Sequence, residues 1–161
     1  MAGTNSDPDP VVDALSAQPV LDAGDWTRVR DELARRAMAA GLVDVAFERH
    51  DSPLGRILVG ATPEGLVRVG LPVEDEDEVL DELARRVSVR VLGAPRDSVT
   101  QTRRQLDEYF GGGRVAFEVR LDWRLTRGFR REVLRATAQI PYGATRSYRQ
   151  VATQAGSPAA V

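Results

Sequence analysis

No cysteine occurs among the 161 residues. That excludes a disulfide, a thiolate nucleophile and a cysteine-based zinc site. Lysine is missing as well, so all 22 basic residues are arginine, a bias that speaks of codon composition more than of mechanism. The one histidine is His50, and a single histidine holds a metal only with several carboxylate partners; no metal is assigned. No apolar run is long enough to span a bilayer, and no signal peptide is recognisable. These features predict a cytoplasmic protein with no membrane partner.

The length fits one domain or two small ones. The formal net charge is −2, which by itself argues against nucleic acid. Its distribution argues the other way. Residues 1–100 carry 11 Arg and 19 Asp or Glu, a net of −8, and residues 101–161 carry 11 Arg and 5 Asp or Glu, a net of +6. If any part meets phosphate, it is the C-terminal third. Long arginine side chains that merely solvate helix faces give the same count.

Along the chain, residues 1–24 are rich in Asp, Pro, Ala and Ser without a period, and read as a disordered arm. A helix is expected over 25–42. Asp25 would cap it, Trp26, Val29, Leu33, Ala37 and Ala40 would form its apolar stripe, and Gly41 would stop it. Three strands follow: Val43–Arg49, with Val43, Val45 and Phe47 on one side, then Ile57–Ala61 and Leu66–Leu71. The turns Ser52-Pro53-Leu54-Gly55 and Thr62-Pro63-Glu64-Gly65 make them an antiparallel meander. The acidic run Glu74–Glu78 reads as a dipole-favoured helix start, feeding a helix to Val87 with Val79, Leu80, Leu83 and Val87 inward. A fourth strand is expected at Val89–Leu92, a helix at Thr100–Phe110 closed by Gly111-Gly112-Gly113, a strand through Phe117, Val119 and Leu121, and a helix at Phe129–Gln139. That last helix points Phe129, Val133, Leu134 and Ala138 inward and carries Arg130, Arg131 and Arg135. The glycine triplet lacks the flanks of a phosphate-binding loop and reads as a helix end.

The segment from Ile140 to Val161 carries the most information. Ser147 with Gln150 three residues on forms a capping box. The helix runs through Val151 and Ala152 to Ala155, and Gly156 supplies the left-handed residue that ends it. Ser157 is a second N-cap with Pro158 at the first helical position, and Ala159, Ala160 and Val161 begin the next helix. This is the pattern of a helix-turn-helix; an ordinary helical hairpin in a domain core shares it.

With these residues assembled, the chain from about 43 to 161 resembles the methylated-DNA–protein-cysteine methyltransferases, the O6-alkylguanine repair proteins. Asp51-Ser52-Pro53-Leu54-Gly55 and Glu64-Gly65-Leu66 resemble the family's sheet domain. Gln105-Leu106, Tyr109-Phe110-Gly111, Phe129, Val133-Leu134, Ile140-Pro141-Tyr142-Gly143, Ser147-Tyr148 and Gly156-Ser157-Pro158 follow in the family's order. The resemblance implies an α+β protein. A ribonuclease-H-like antiparallel sheet with helices (43–97) precedes a mainly helical, winged-helix-like DNA-binding methyltransferase domain, whose start spans 98–161. It also implies a monomer that needs no cofactor and binds double-stranded DNA containing O6-alkylguanine. Tyr148 would contact the target phosphate and help rotate the nucleotide out. Ser147, Ser157, Pro158, Ala159 and Ala160 would lie at the DNA, the small residues admitting the recognition helix to the minor groove. Val161 is larger than alanine there.

The family's arginine finger and its Pro-Cys-His-Arg acceptor segment would fall after Val161. The expected activity is therefore repair by stoichiometric transfer of the alkyl group to a protein cysteine, a residue these 161 positions lack, so that the chain as given is expected to be inactive. A non-enzymatic protein that binds alkylated DNA, a helix-turn-helix regulator and an inert gene fragment are the alternatives.

Overall fold

The computed structural model describes residues 22–156, and most of the expected N-terminal arm lies outside them. The chain divides into two units, Met1–Leu33 and Ala34–Val161. The division falls inside the first helix, α1 (Ala23–Ala39). Its cap is Asp22 and not Asp25: the Asp25 amide donates to the Asp22 carboxylate at 2.7 Å, and the Asp22 amide donates to that of Asp25 at 3.3 Å. Asp25 stands at N3, where the second half of a reciprocal cap belongs. Trp26, Val29 and Leu33 are exposed, so the expected stripe is not a buried face. At the other end Gly41, at φ +67°, ends the helix. The Leu42 amide reaches back to the Ala37 carbonyl at 2.9 Å, the glycine-terminated closure that satisfies late carbonyls.

The second unit is built on a four-stranded sheet in the order β3-β2-β1-β4. Strands β1 (Val45–Ser52), β2 (Gly55–Thr62) and β3 (Gly65–Gly70) form the expected antiparallel meander. Strand β4 (Val91–Gly93) runs parallel to β1 at the other edge, because the helix between them returns the chain to the end it left. That helix, α2 (Glu76–Arg86), buries Val79 and Leu83 against Val45 and Leu58. Helix α3 (Asp97–Phe110) covers the opposite face, where Val99 meets Ile57, Val59 and Ala61. A third cluster joins Ala34, Val43, Ala46 and Ala94. Val43 therefore precedes the strand and does not share a side with Val45 and Phe47.

The acidic run at the start of α2 is largely paired. Asp75 caps the helix by accepting from the amides of Asp77 and Glu78. Glu76 pairs with Arg49, and Glu74 and Glu82 grip Arg68. Arg68 holds Glu74 below the usual carboxylate range, helped by the Leu71 amide. Burial works against ionisation of Glu82, yet hydrogen bonds from Arg68 and Arg86 outweigh it and its carboxyl is lowered too. Asp44 is lowered by Arg90 and Ser88, which tie it beside β4.

A lowered native pKa means that the folded state binds fewer protons than the unfolded chain. The stability these groups add is full above an unfolded carboxylate pKa of about 4 and is lost as pH falls through the lowered values. Thermal melts across a pH series are expected to be flat from neutrality to about pH 5 and to fall steeply below about pH 4. A melting temperature that rose on acidification through that window would contradict these pairings.

After α3, Gly112 at φ +77° closes the helix with its neighbours, as expected of the triplet. The strand expected through Phe117, Val119 and Leu121 does not form. Side chains take the place of a ladder: the Glu118 amide donates to the buried Gln105 side chain at 2.7 Å, and Gln105 and Gln101 donate to the Glu118 carbonyl. Only a short bridge remains, where Leu66 donates to the Arg120 carbonyl and Asp122 to that of Leu66, each at 2.8 Å. A single turn of 3₁₀ helix (Trp123–Leu125), capped by Asp122, leads to α4 (Gly128–Ala138) and α5 (Tyr148–Gln154). Of the residues expected to point inward from α4, Phe129, Leu134 and Ala138 are exposed; Ala136 is the buried one.

Candidate nucleic-acid interface

Helix α5 is the first helix of the helix-turn-helix expected from the sequence, and α4 leads into it through a turn. The turn is set by residues 140–144. Ile140 donates to Thr137, Ala144 donates to the Pro141 carbonyl at 3.0 Å, and Gly143 takes φ +77°. The capping box is present in full: the Gln150 amide donates to Ser147 Oγ at 3.3 Å, and the Ser147 amide donates to Gln150 Oε1 at 2.7 Å. A seven-residue helix is too short to stand alone in water. Val151 and Ala152 bury their side chains, and Gln154 donates to Gln139 at 2.6 Å while accepting from Arg146. Gly156, at φ +84°, ends the helix as expected.

Of the sequence-predicted residues, Ser147 and Tyr148 come together at the start of α5. The Ser147 hydroxyl accepts within the cap, which leaves its proton free to donate outward. Tyr148 is 90% exposed. Among the described residues it is therefore not a half-buried cover for the helix start. Ser157, Pro158, Ala159, Ala160 and Val161 lie outside the described residues.

The arginines of this region sort into two groups. Arg131 looks like a surface charge in the sequence, yet it donates to the carbonyls of Trp123 and Thr126 and clamps the entry to α4. Arg135 pairs with Glu132 and lies over the Trp123 ring. Arg127, Arg130 and Arg149 make no ion pair among the described residues. A signal for this was available in the sequence: Arg130 and Arg149 have no acid three or four positions away, the spacing at which helix surface charges meet. Among the described residues no group of three or more acidic or histidine side chains could hold a metal, and no helix is long and apolar enough to cross a membrane.

Comparison with known proteins agrees with this arrangement. Residues 45–123 match the family model of the 6-O-methylguanine DNA methyltransferase ribonuclease-like domain, and residues 128–161 match that of the same enzymes' DNA-binding domain. The constitutive methylated-DNA–protein-cysteine methyltransferase of Bacillus subtilis is 30% identical over 111 residues, covering 69% of this chain and 64% of that protein. The crystal structure of the Mycobacterium tuberculosis O6-methylguanine methyltransferase superposes with a TM-score of 0.56 at 29% identity, over 72% of this chain and 64% of that one. The same organism's protein in complex with DNA gives 0.55 at 28% identity, over 71% and 63%. The chain thus spans just under two thirds of the length of these relatives. With one model matched on the sheet and its companion on the paired helices, in that order, the chain belongs to the 6-O-methylguanine DNA methyltransferase family.

Proposed function

We propose that these residues form the DNA-handling scaffold of an O6-alkylguanine repair protein. Its domains would be a ribonuclease-H-like part over 43–97 and the start of a helical DNA-binding part over 98–161, preceded by the helix 25–42 and the arm 1–24. It would act as a monomer in the cytoplasm, with no cofactor. The observation that carries the proposal is Tyr148, fully presented at the first turn of a helix that a complete capping box fixes in place.

The chemistry follows from the lesion. The O6 atom of a stacked guanine is out of reach, so the nucleotide has to be rotated out of the duplex at a cost of a few kcal/mol. The Tyr148 hydroxyl and the Ser147 proton would donate to the phosphate about which it turns. Ser157 and Pro158 would open the recognition helix, and Ala159 and Ala160 would let it into the narrow minor groove, where little sequence is read. The alkyl group would then pass to a cysteine thiolate. The 161 residues contain no cysteine, so they do not supply that acceptor.

The test is Tyr148→Phe in a fluorescence-anisotropy titration with a short duplex. Wild-type affinity is expected on the order of 10⁻⁴–10⁻⁶ M, falling steeply with salt. The variant should bind several-fold more weakly, up to about tenfold, through loss of one hydrogen bond to a charged group. Its melting temperature should not move, since the ring is exposed. Unchanged affinity would remove Tyr148 from the interface.

A further inference from the structure

Away from the start of α5, four arginines surround one open depression of about 470 Å³. It is lined by Arg86, Arg124, Leu125, Thr126, Arg127 and Arg130, with no carboxylate in its wall. Two of the guanidiniums are fixed. Arg86 is held by Glu82 and donates to the Leu125 carbonyl at 2.5 Å. Arg124 is held at 2.6 Å by both Glu64 and Asp122. The other two, Arg127 and Arg130, pair with no described residue. Arg127 is also the N-cap position of α4 and makes no side-chain cap bond, so the first-turn N–H groups beside it are left without a side-chain acceptor.

Arg127 and Arg130 have no counter-charge among the described residues, and two such cations beside each other are better accommodated with an anion between them. Guanidinium forks match the paired oxygens of a phosphate, and the helix end adds positive potential on the same side. We propose that this pocket is a phosphate-binding site in which Arg127 and Arg130 are the unpaired ligands and Arg86 and Arg124 the ones already held by carboxylates. The chemistry is shared by two sources, a backbone phosphate of duplex DNA and a free phosphate or pyrophosphate.

Calorimetric titration of the full chain with inorganic pyrophosphate at low ionic strength tests it. One saturable site per chain is expected. The double variant Arg127→Ala/Arg130→Ala should lose about tenfold or more in affinity, while Arg56→Ala, on the far hairpin, should leave it unchanged. Circular dichroism confirms that the double variant is folded, as expected for two side chains without internal bonds. A duplex titration then separates the sources. If the double variant also binds duplex more weakly, with a salt slope shallower by about 2, the pocket takes a backbone phosphate. If duplex binding is unchanged while pyrophosphate binding is lost, it takes a free one. Pyrophosphate binding by a chain that ignores duplex altogether would sink the DNA reading and leave the pocket standing. No saturable pyrophosphate site, or equal affinity in wild type and double variant, overturns the proposal.

Discussion

Gly65→Ala is expected to cost about 3 kcal/mol of stability, more than an exposed turn residue ordinarily would. Two effects add. Gly65 sits at φ +144°, a conformation that L side chains rarely adopt, and a Cβ built there lies 2.2 Å from the Arg120 carbonyl oxygen and 2.7 Å from its carbon. Both obstacles are backbone, so no side-chain rotation relieves them. The segment at 120–122 must withdraw, and that breaks the two 2.8 Å bonds joining Leu66 to Arg120 and Asp122. Gly112→Ala is the control: φ is also positive, but nothing lies within 4 Å, so only the conformational cost of about 1 kcal/mol remains. Equilibrium urea unfolding of both variants measures the difference. Equal losses would mean that the 120–122 segment does not press on β3.

The second large loss is expected from Gln105→Leu, about 2 kcal/mol. Gln105 is 1% exposed, and its amide both accepts from the Glu118 N–H and donates to the Glu118 carbonyl. Leucine fills the space but satisfies neither group. Gln101→Ala removes only one bond, to a carbonyl that keeps Gln105 as partner, and should cost well under half as much. In hydrogen exchange, the Glu118 amide should become fast in Gln105→Leu and stay slow in Gln101→Ala. An unchanged Glu118 amide in the leucine variant would show that the side chain does not hold this connection.

These two positions also show where sequence patterns stopped being informative. The meander was legible because its turns carry Pro and Gly at the places that turn chemistry demands, and because β2 is a short apolar run. The capping box at Ser147 and Gln150 was legible because it is a local device whose partners lie three residues apart. The missing strand at Phe117–Leu121 was not: its alternation is real, but the partner that satisfies its backbone is a glutamine side chain on α3, which no local period announces. The exposed face of α4 was misread for a related reason. Phe129 and Leu134 have the spacing of a core stripe, while burial falls on Ala136. Asp25 and Asp22 are both sound caps by type, and the choice between them rested on where the helix began. At the interface, Tyr148 could be placed at the helix start from sequence, but its exposure could not. The four-arginine pocket joins residues 44 positions apart in the chain, from Arg86 to Arg130, and only folding assembles it.

The central claim is that the helical end of the chain, and not the sheet, meets DNA. Hydrogen–deuterium exchange with and without a short duplex at low salt tests it most directly. The account predicts added protection between Arg127 and Gly156, greatest at the amides around Ser147 and Tyr148, with none in the hairpin at Pro53 and Leu54. Protection gained along β1 and β2 with the α4–α5 region unchanged would contradict it.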